Sequence, residues 1–229
     1  SPGDINGDGF DDLIIGDAVN GQMLLFSGGS FGTNVGPANL DGSNGANLPS
    51  GNIPWNLGKL GDFNGDGLDD ILVSAQNSSA KIYFGRTSWG ASTTTGYTSI
   101  ADFTTGRVGV GGDFNGDGLA DVVLGDSLFS ASSDMHGKVS IYFGRRDTQA
   151  VITSADTSLS STGNNYATYG MGHRLSAGDF NGDGIDDIVI QSYFNSYVVF
   201  GRTSGFGSVS LDSLDGSNGF KLAGVAHYI

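Results

Sequence analysis

The chain has 229 residues, 40 of them Gly, and a net charge of −14. That length suffices to bury a core. The charge repels polyanions, so nucleic acid is excluded as a partner. The longest apolar runs, such as Met23 to Phe26, are far short of the roughly 20 residues that cross a bilayer, so no membrane span is expected. There is no Cys, which excludes disulfides, thiolate metal sites and a Cys nucleophile. All 24 acidic residues are Asp, a poor helix former and a frequent turn and metal residue, so a helical chain is not expected.

A decapeptide, Gly-Asp-x-Asn-Gly-Asp-Gly-x-x-Asp, organises everything else. Its first Asp falls at Asp4, Asp62, Asp113 and Asp179, at spacings of 58, 51 and 66 residues. A short β-branched run follows each copy: Leu13–Ile15, Ile71–Val73, Val122–Leu124 and Ile188–Ile190. These read as buried strands. A second strand follows at Gln22–Phe26, Lys81–Phe84, Lys138–Phe143 and Tyr197–Phe200. Three of them close on Phe-Gly-Arg, at Arg86, Arg145 and Arg202, and the first on the weaker Phe26-Ser27-Gly28. A Ser/Thr/Gly-rich stretch and a third strand come next. A leading strand, as at Arg107–Val110 or His173–Ser176, then runs into the following motif.

Four strands per unit, repeated four times, predict an all-β fold: a β-propeller of four four-stranded blades in one domain. The approximate units are 1–58, 59–109, 110–175 and 176–229. The Phe of each Phe-Gly pair is expected between blades, where stacking buries what one sheet cannot bury alone. Joining tail to head would give a spacing of 54 residues, inside the observed range. The expectation is a ring closed by the C-terminal strand at Ala226–Ile229, or else part of a larger propeller or half of a two-chain ring.

Each motif sets three oxygen-bearing side chains on alternate residues of a tight loop, which suits a hard cation such as Ca²⁺. The Gly at position six permits the reversal, and position seven offers a backbone carbonyl. An EF-hand needs an acidic residue at position twelve, where this chain has Ile15, Val73, Leu124 and Ile190, so that reading and the dockerin reading fail. The candidate last carboxylate is position nine, Asp in every copy. Position eight is Asp in three copies but Ala120 in the third.

With that loop followed by a strand and a Phe-Gly pair, over nearly the whole chain, the sequence resembles the integrin-α-type, or FG-GAP, repeats. The resemblance implies Ca²⁺ bound in the hairpin between the first two strands of each blade, one ion per blade. The implied ligands of the first site are Asp4, Asn6, Asp8, the carbonyl of Phe10, and Asp12. Those of the second are Asp62, Asn64, Asp66, the carbonyl of Leu68, and Asp70. The third takes Asp113, Asn115, Asp117, the carbonyl of Leu119, and Asp121. The fourth takes Asp179, Asn181, Asp183, the carbonyl of Ile185, and Asp187. Family members with this motif usually have seven blades, against four here. Four Ca²⁺ would bring the charge from −14 to −6.

The expected role is a secreted or cell-surface adhesion and interaction module, calcium-stabilised and non-catalytic, with a protein or glycan ligand. Sites of modest affinity suit an extracellular medium. Three other readings compete: a lectin, part of a polysaccharide lyase, and self-association through the terminal strand. The lectin would use Trp89, the better sugar platform, whereas Trp55 is expected in inter-blade packing. The only candidate cluster for a ligand or a lyase site is Tyr166, Tyr169, His173 and Arg174. Arg86, Arg145 and Arg202 are expected to pair with Asp on adjacent blades. Leu-Asp-Gly-Ser-Asn-Gly at 40–45 and 214–219 is expected to be a repeated turn.

Overall fold

The structure is a computed structural model. It describes residues 1–17, 19–29, 36–49, 54–75, 79–91, 96–101, 108–129, 137–147, 149–161, 170–207 and 209–224. The strands are β1 (Leu13–Asp17), β2 (Gln22–Phe26), β3 (Gly45–Pro49), β4 (Pro54–Gly61), β5 (Asp70–Ala75), β6 (Ala80–Tyr83), β7 (Tyr97–Ile100), β8 (Val108–Gly112) and β9 (Asp121–Asp126). They continue with β10 (Lys138–Tyr142), β11 (Val151–Ile152), β12 (Thr157–Ser160), β13 (Arg174–Gly178), β14 (Asp187–Gln191), β15 (Asn195–Val199), β16 (Val209–Ser210) and β17 (Gly219–Ala223). The only helical pieces among the described residues are two single 3-10 turns, Pro37–Asn39 and Leu211–Ser213. None is long and apolar enough to cross a membrane.

The strands form four blade-like sheets, one per motif, in the orders β1-β2-β3, β11-β7-β6-β5-β4, β16-β12-β10-β9-β8 and β13-β14-β15-β17. The predicted first and second strands of every unit pair as antiparallel hairpins. Two sheets have five strands where four were expected. The extra ones, β11 and β16, come from the following unit and add in parallel to the outer strand of the unit before. The second sheet also starts at Pro54, slightly before the predicted unit boundary. Sheet one has three strands. Among the described residues, the Gly3–Asp12 bridge alone touches the side of β1 where the other sheets carry a leading strand.

Successive sheets pack face to face through β1 with β4, β4 with β8, and β8 with β13. Three apolar clusters fill the joints. Met23, Leu25 and Leu48 meet Ile71, Val73 and Tyr83 between sheets one and two. Leu60, Phe63, Leu72 and Ile82 meet Val122, Leu124 and Tyr142 between two and three. Phe114, Val123 and Ile141 meet Ile188, Ile190 and Val199 between three and four. Alternate residues of each strand therefore face opposite neighbours, and strands buried on both faces need continuous apolar runs. Each fully buried large side chain contributes about 1.5–3 kcal/mol.

Phe84 and Phe143 are half-buried against these clusters, in line with an inter-blade role. Phe200 packs on Phe220 of its own sheet, at a ring separation of 5.9 Å. In the first unit Ser27 stands in the position of those Phe residues, because Gly28 makes the bond to Asp12 that Gly85 makes to Asp70. The closing tail, Ala226–Ile229, lies outside the described residues.

Candidate metal centre

Each motif forms a loop that wraps its backbone amides around its own first carboxylate. Asp4 Oδ1 accepts from Gly7 and Asp8 N–H at 2.7 and 3.2 Å, and its Oδ2 from Gly9 N–H at 2.9 Å. The Asp62, Asp113 and Asp179 loops repeat this pattern. The wrap needs positive φ at position six, met by Gly9, Gly67, Gly118 and Gly184 at 83° to 91°.

The next side chains continue the wrap. Asn6 Oδ1 accepts from Asp8 N–H, and Asn6 Nδ2 donates to Asp8 Oδ2 at 3.0 Å. Asp8 Oδ1 accepts from Phe10 N–H at 2.9 Å. Asn64 with Asp66, Asn115 with Asp117, and Asn181 with Asp183 do the same.

Position nine closes the loop onto the strands. Asp12 Oδ2 accepts from Ile5 N–H at 2.9 Å, and its Oδ1 from Gly28 N–H at 2.8 Å. Asp70, Asp121 and Asp187 make the same two bonds, to Phe63 and Gly85, Phe114 and Gly144, and Phe180 and Gly201. All four carboxylates are buried. Burial, then the neighbouring Asp66 and Asp62 charges, push Asp70 up to about 7, against the two amide bonds. Asp121 is pushed up to about 7 in the same way, and burial raises Asp12. At Asp179 the amide bonds from Gly184, Gly182 and Asp183 hold the carboxyl below its ordinary value.

The predicted ligands of each site thus share one loop. Among the described residues, however, no three carboxylate or imidazole groups are gathered into a ready-made metal cage. The amides satisfy the carboxylates instead. An ionised carboxylate has about four acceptor positions. Asp4 spends three on amides, and Asp8 and Asp12 two each on their closest partners, so each keeps capacity for a cation. The donors are all oxygen, which suits Ca²⁺ rather than a soft metal.

The loops also join the sheets. Asp69 N–H donates to Asp4 C=O, and Arg86 N–H to Ile5 C=O at 2.8 Å. Ala120 and Arg145 do this to Asp62 and Phe63, and Asp186 and Arg202 to Asp113 and Phe114. Position eight, which its variation removes from the expected ligands, serves the joint. Asp69 and Asp186 accept from the N–H of Asp4 and Asp113 in the preceding unit. Ala120 cannot. The Gly of each Phe-Gly pair fits because a Cβ on Gly85 would lie 2.6 Å from the Asp69 carbonyl and 3.0 Å from that of Ile5. Arg146 adds an unforeseen contact, donating to the Gly65 carbonyl of the second loop at 2.8 Å.

Other expected sites look different in three dimensions. Trp89 is only 4% exposed and lies in the joint between sheets one and two. It has no face for a sugar, so the platform reading is corrected. Trp89 is core because Met23, Leu25, Ala46 and Leu48 of the preceding unit cover it. The side chain of Trp55 and residues Tyr166 and Tyr169 lie outside the described residues. His173 lies against Tyr193 with the rings tilted and their centres 5.1 Å apart, and Arg174 is exposed at the start of β13. The Phe-Gly-Arg arginines make contacts besides the expected inter-blade pairs. Arg86 lies over Trp89, Arg202 lies over Phe206, and Arg145 pairs with Asp156 of its own unit. The two Leu-Asp-Gly-Ser-Asn-Gly segments are matching turns, closed by Gly42 N–H to Gly45 C=O and Gly216 N–H to Gly219 C=O.

Comparison with known proteins is consistent with these repeats. A family model described as FG-GAP-like repeat matches residues 62–124 and 113–190, and one described as FG-GAP repeat matches 171–211. The chain is 32% identical over 187 residues to phosphatidylinositol-glycan-specific phospholipase D of Dictyostelium discoideum, covering 62% of this chain and 19% of that protein. Among solved structures, the crystal structure of BBS1N in complex with ARL6DN, soaked with lead, is similar over 91% of this chain and 55% of that one. Its TM-score is 0.48 at 12% identity.

Proposed function

The chain belongs to the FG-GAP-like repeat family, and from that premise we propose that it is a calcium-stabilised β-propeller module, exposed outside the cell, that binds a protein or glycan ligand rather than catalysing a reaction. One observation carries the calcium part. The same oxygen-only loop occurs four times, and three copies hand their first two carbonyls to the next sheet. Whatever stiffens a loop therefore stiffens a joint. Asp4, Asn6, Asp8, the Phe10 carbonyl and Asp12, with their equivalents, would hold Ca²⁺, whose charge offsets the mutual repulsion of the loop carboxylates. That repulsion is about 1 kcal/mol per pair at 4 Å in water and about 4 at an effective dielectric of 20. The Asn Nδ2 that faces the Asp8 carboxylate would give way to the cation.

The interaction role rests on the family and on rigid sheets that present variable segments between them. The phospholipase likeness supports a second reading, a repeat region that accompanies a catalytic domain, because this chain spans about a fifth of that protein. Calorimetric titration of Ca²⁺ into chelator-stripped protein tests the proposal. Four equivalents bound is the expected result, and no heat with no bound Ca²⁺ would refute it.

A further inference from the structure

The three joints inside the chain follow one rule, and the two outer sheets each present half of it. On the receiving side of a joint, positions ten and twelve of the motif are buried: Ile71 and Val73, Val122 and Leu124, Ile188 and Ile190. Their counterparts in sheet one, Leu13 and Ile15, are 41% and 46% exposed, beside a small cluster of Leu24, Phe26 and Leu40. On the offering side, position two is buried at Ile5, Phe63 and Phe114, but Phe180 is 56% exposed. Ile100 at the outer strand of sheet two is fully buried, and Leu222, its counterpart on β17, is exposed.

The polar half of the joint is split in the same way. Among the described residues no backbone N–H reaches the carbonyls of Asp179 and Phe180, the counterparts of Asp4 and Ile5. The matching donors in unit one, Asp11 and Gly29 N–H, likewise show no backbone acceptor there. A side chain fits against the fourth-position Gly of each inner loop. A Cβ on Gly7, Gly65 or Gly116 would lie 3.0 to 3.2 Å from Leu68, Leu119 or Ile185, whereas Gly182 has nothing within 4 Å. The side chain that belongs there by the same rule is Phe10, which is exposed.

We propose that the open flank of sheet one receives the open flank of sheet four from a second copy of this chain, head to tail, with the joint used three times inside it. The partner's chemistry is specified by both halves: apolar side chains at Leu13 and Ile15 against Phe180 and Leu222, and amides of Asp11 and Gly29 against carbonyls of Asp179 and Phe180. Such a contact is heterologous, so it closes a ring or propagates. Two copies joined at both ends make eight units, within the range of propellers. The contact depends on joint geometry and stands whether or not the loops hold calcium.

The test is sedimentation equilibrium of the full chain in calcium-containing buffer across a wide concentration range, with far-ultraviolet circular dichroism to confirm folding. The variants are Ile15→Asp and Leu222→Asp, both at exposed positions outside the loops. The wild type is expected at twice the 23.5 kDa chain mass or at higher multiples. Each variant alone is expected at the monomer mass. An equimolar mixture of the two should recover a dimer, because one intact joint remains between them. A wild type that is monomeric at every concentration overturns the proposal, as do folded variants that associate like the wild type. A mixture that stays monomeric while the wild type associates overturns the head-to-tail arrangement.

Discussion

The third and fourth loops carry almost the same decapeptide and differ in surroundings. Asp113 and Asp179 accept from their loop amides at the same 2.7, 3.1 and 2.9 Å. Yet Phe114 is buried under the next sheet and Phe180 is exposed. The loop conformation is therefore a local property of the decapeptide, supplied by Asx turns and glycines, and docking adds burial without reshaping it. An Asp loop that forms without its neighbour is a preformed dock.

The largest effect that could break this comparison comes from the aromatic at position two. Measured in the Ile15→Asp background, which cannot receive a second copy, as are the comparisons below, Phe114→Ala should cost about 3–5 kcal/mol in urea unfolding, as for a buried Phe, and Phe180→Ala within about 0.5 kcal/mol, as for a surface residue. Equal costs there would mean that sheet four is covered within its own chain. Next comes the fourth-position Gly. Gly182→Ala should show only the left-handed backbone penalty, about 1–2 kcal/mol. Gly116→Ala should cost more, because its Cβ would press on Ile185 and Thr203 at 3.2 Å. Equal losses would show that the joint can shift to accept the methyl.

Position eight is a smaller probe. Asp69→Ala removes the acceptor of Asp4 N–H and the partner of Lys59, so about 1 kcal/mol is expected. Asp11→Ala, whose exposed carboxylate bonds to no described residue, should change stability by less than about 0.5 kcal/mol in the same background. Matching losses would remove the inter-unit role.

The finest probe is pH. In metal-free protein, Asp70 and Asp121 at about 7 lie above their unfolded value near 3.9. The folded state then holds extra protons between those limits, so stability falls as pH rises from about 4 to about 7 and levels off above. Ca²⁺ needs the ionised carboxylates, so its affinity should rise over the same window. Urea unfolding and calcium titration at several pH values read both slopes, and slopes of the same sign would contradict the shared carboxylates.

Much of this was legible in the chain. The decapeptide is local, so its turn, its glycines and the strands after it read directly from residue types. What escaped was non-local. Val151–Ile152 and Val209–Ser210 are two-residue strands with no period to detect, and their partners lie in the preceding unit. Trp89 sits in a stretch composed like a surface loop, and only the packing of unit one makes it core. Asp69 and Asp186 stood beside presumed ligands, and their bond to the preceding unit follows from sheet stacking, which no single loop encodes.

The most direct test of the calcium-supported joint is thermal unfolding of the whole chain with excess Ca²⁺, after chelation by EDTA, and after Ca²⁺ is restored. At free Ca²⁺ of about 100 times Kd, each site contributes about 2.7 kcal/mol. A chain of this size shifts by about 2–4 °C per kcal/mol. Chelation should therefore lower Tm by about 20–40 °C, and Ca²⁺ should restore it. An unchanged Tm would contradict calcium support of the joints, leaving the four Asp loops as turns held by their own amides.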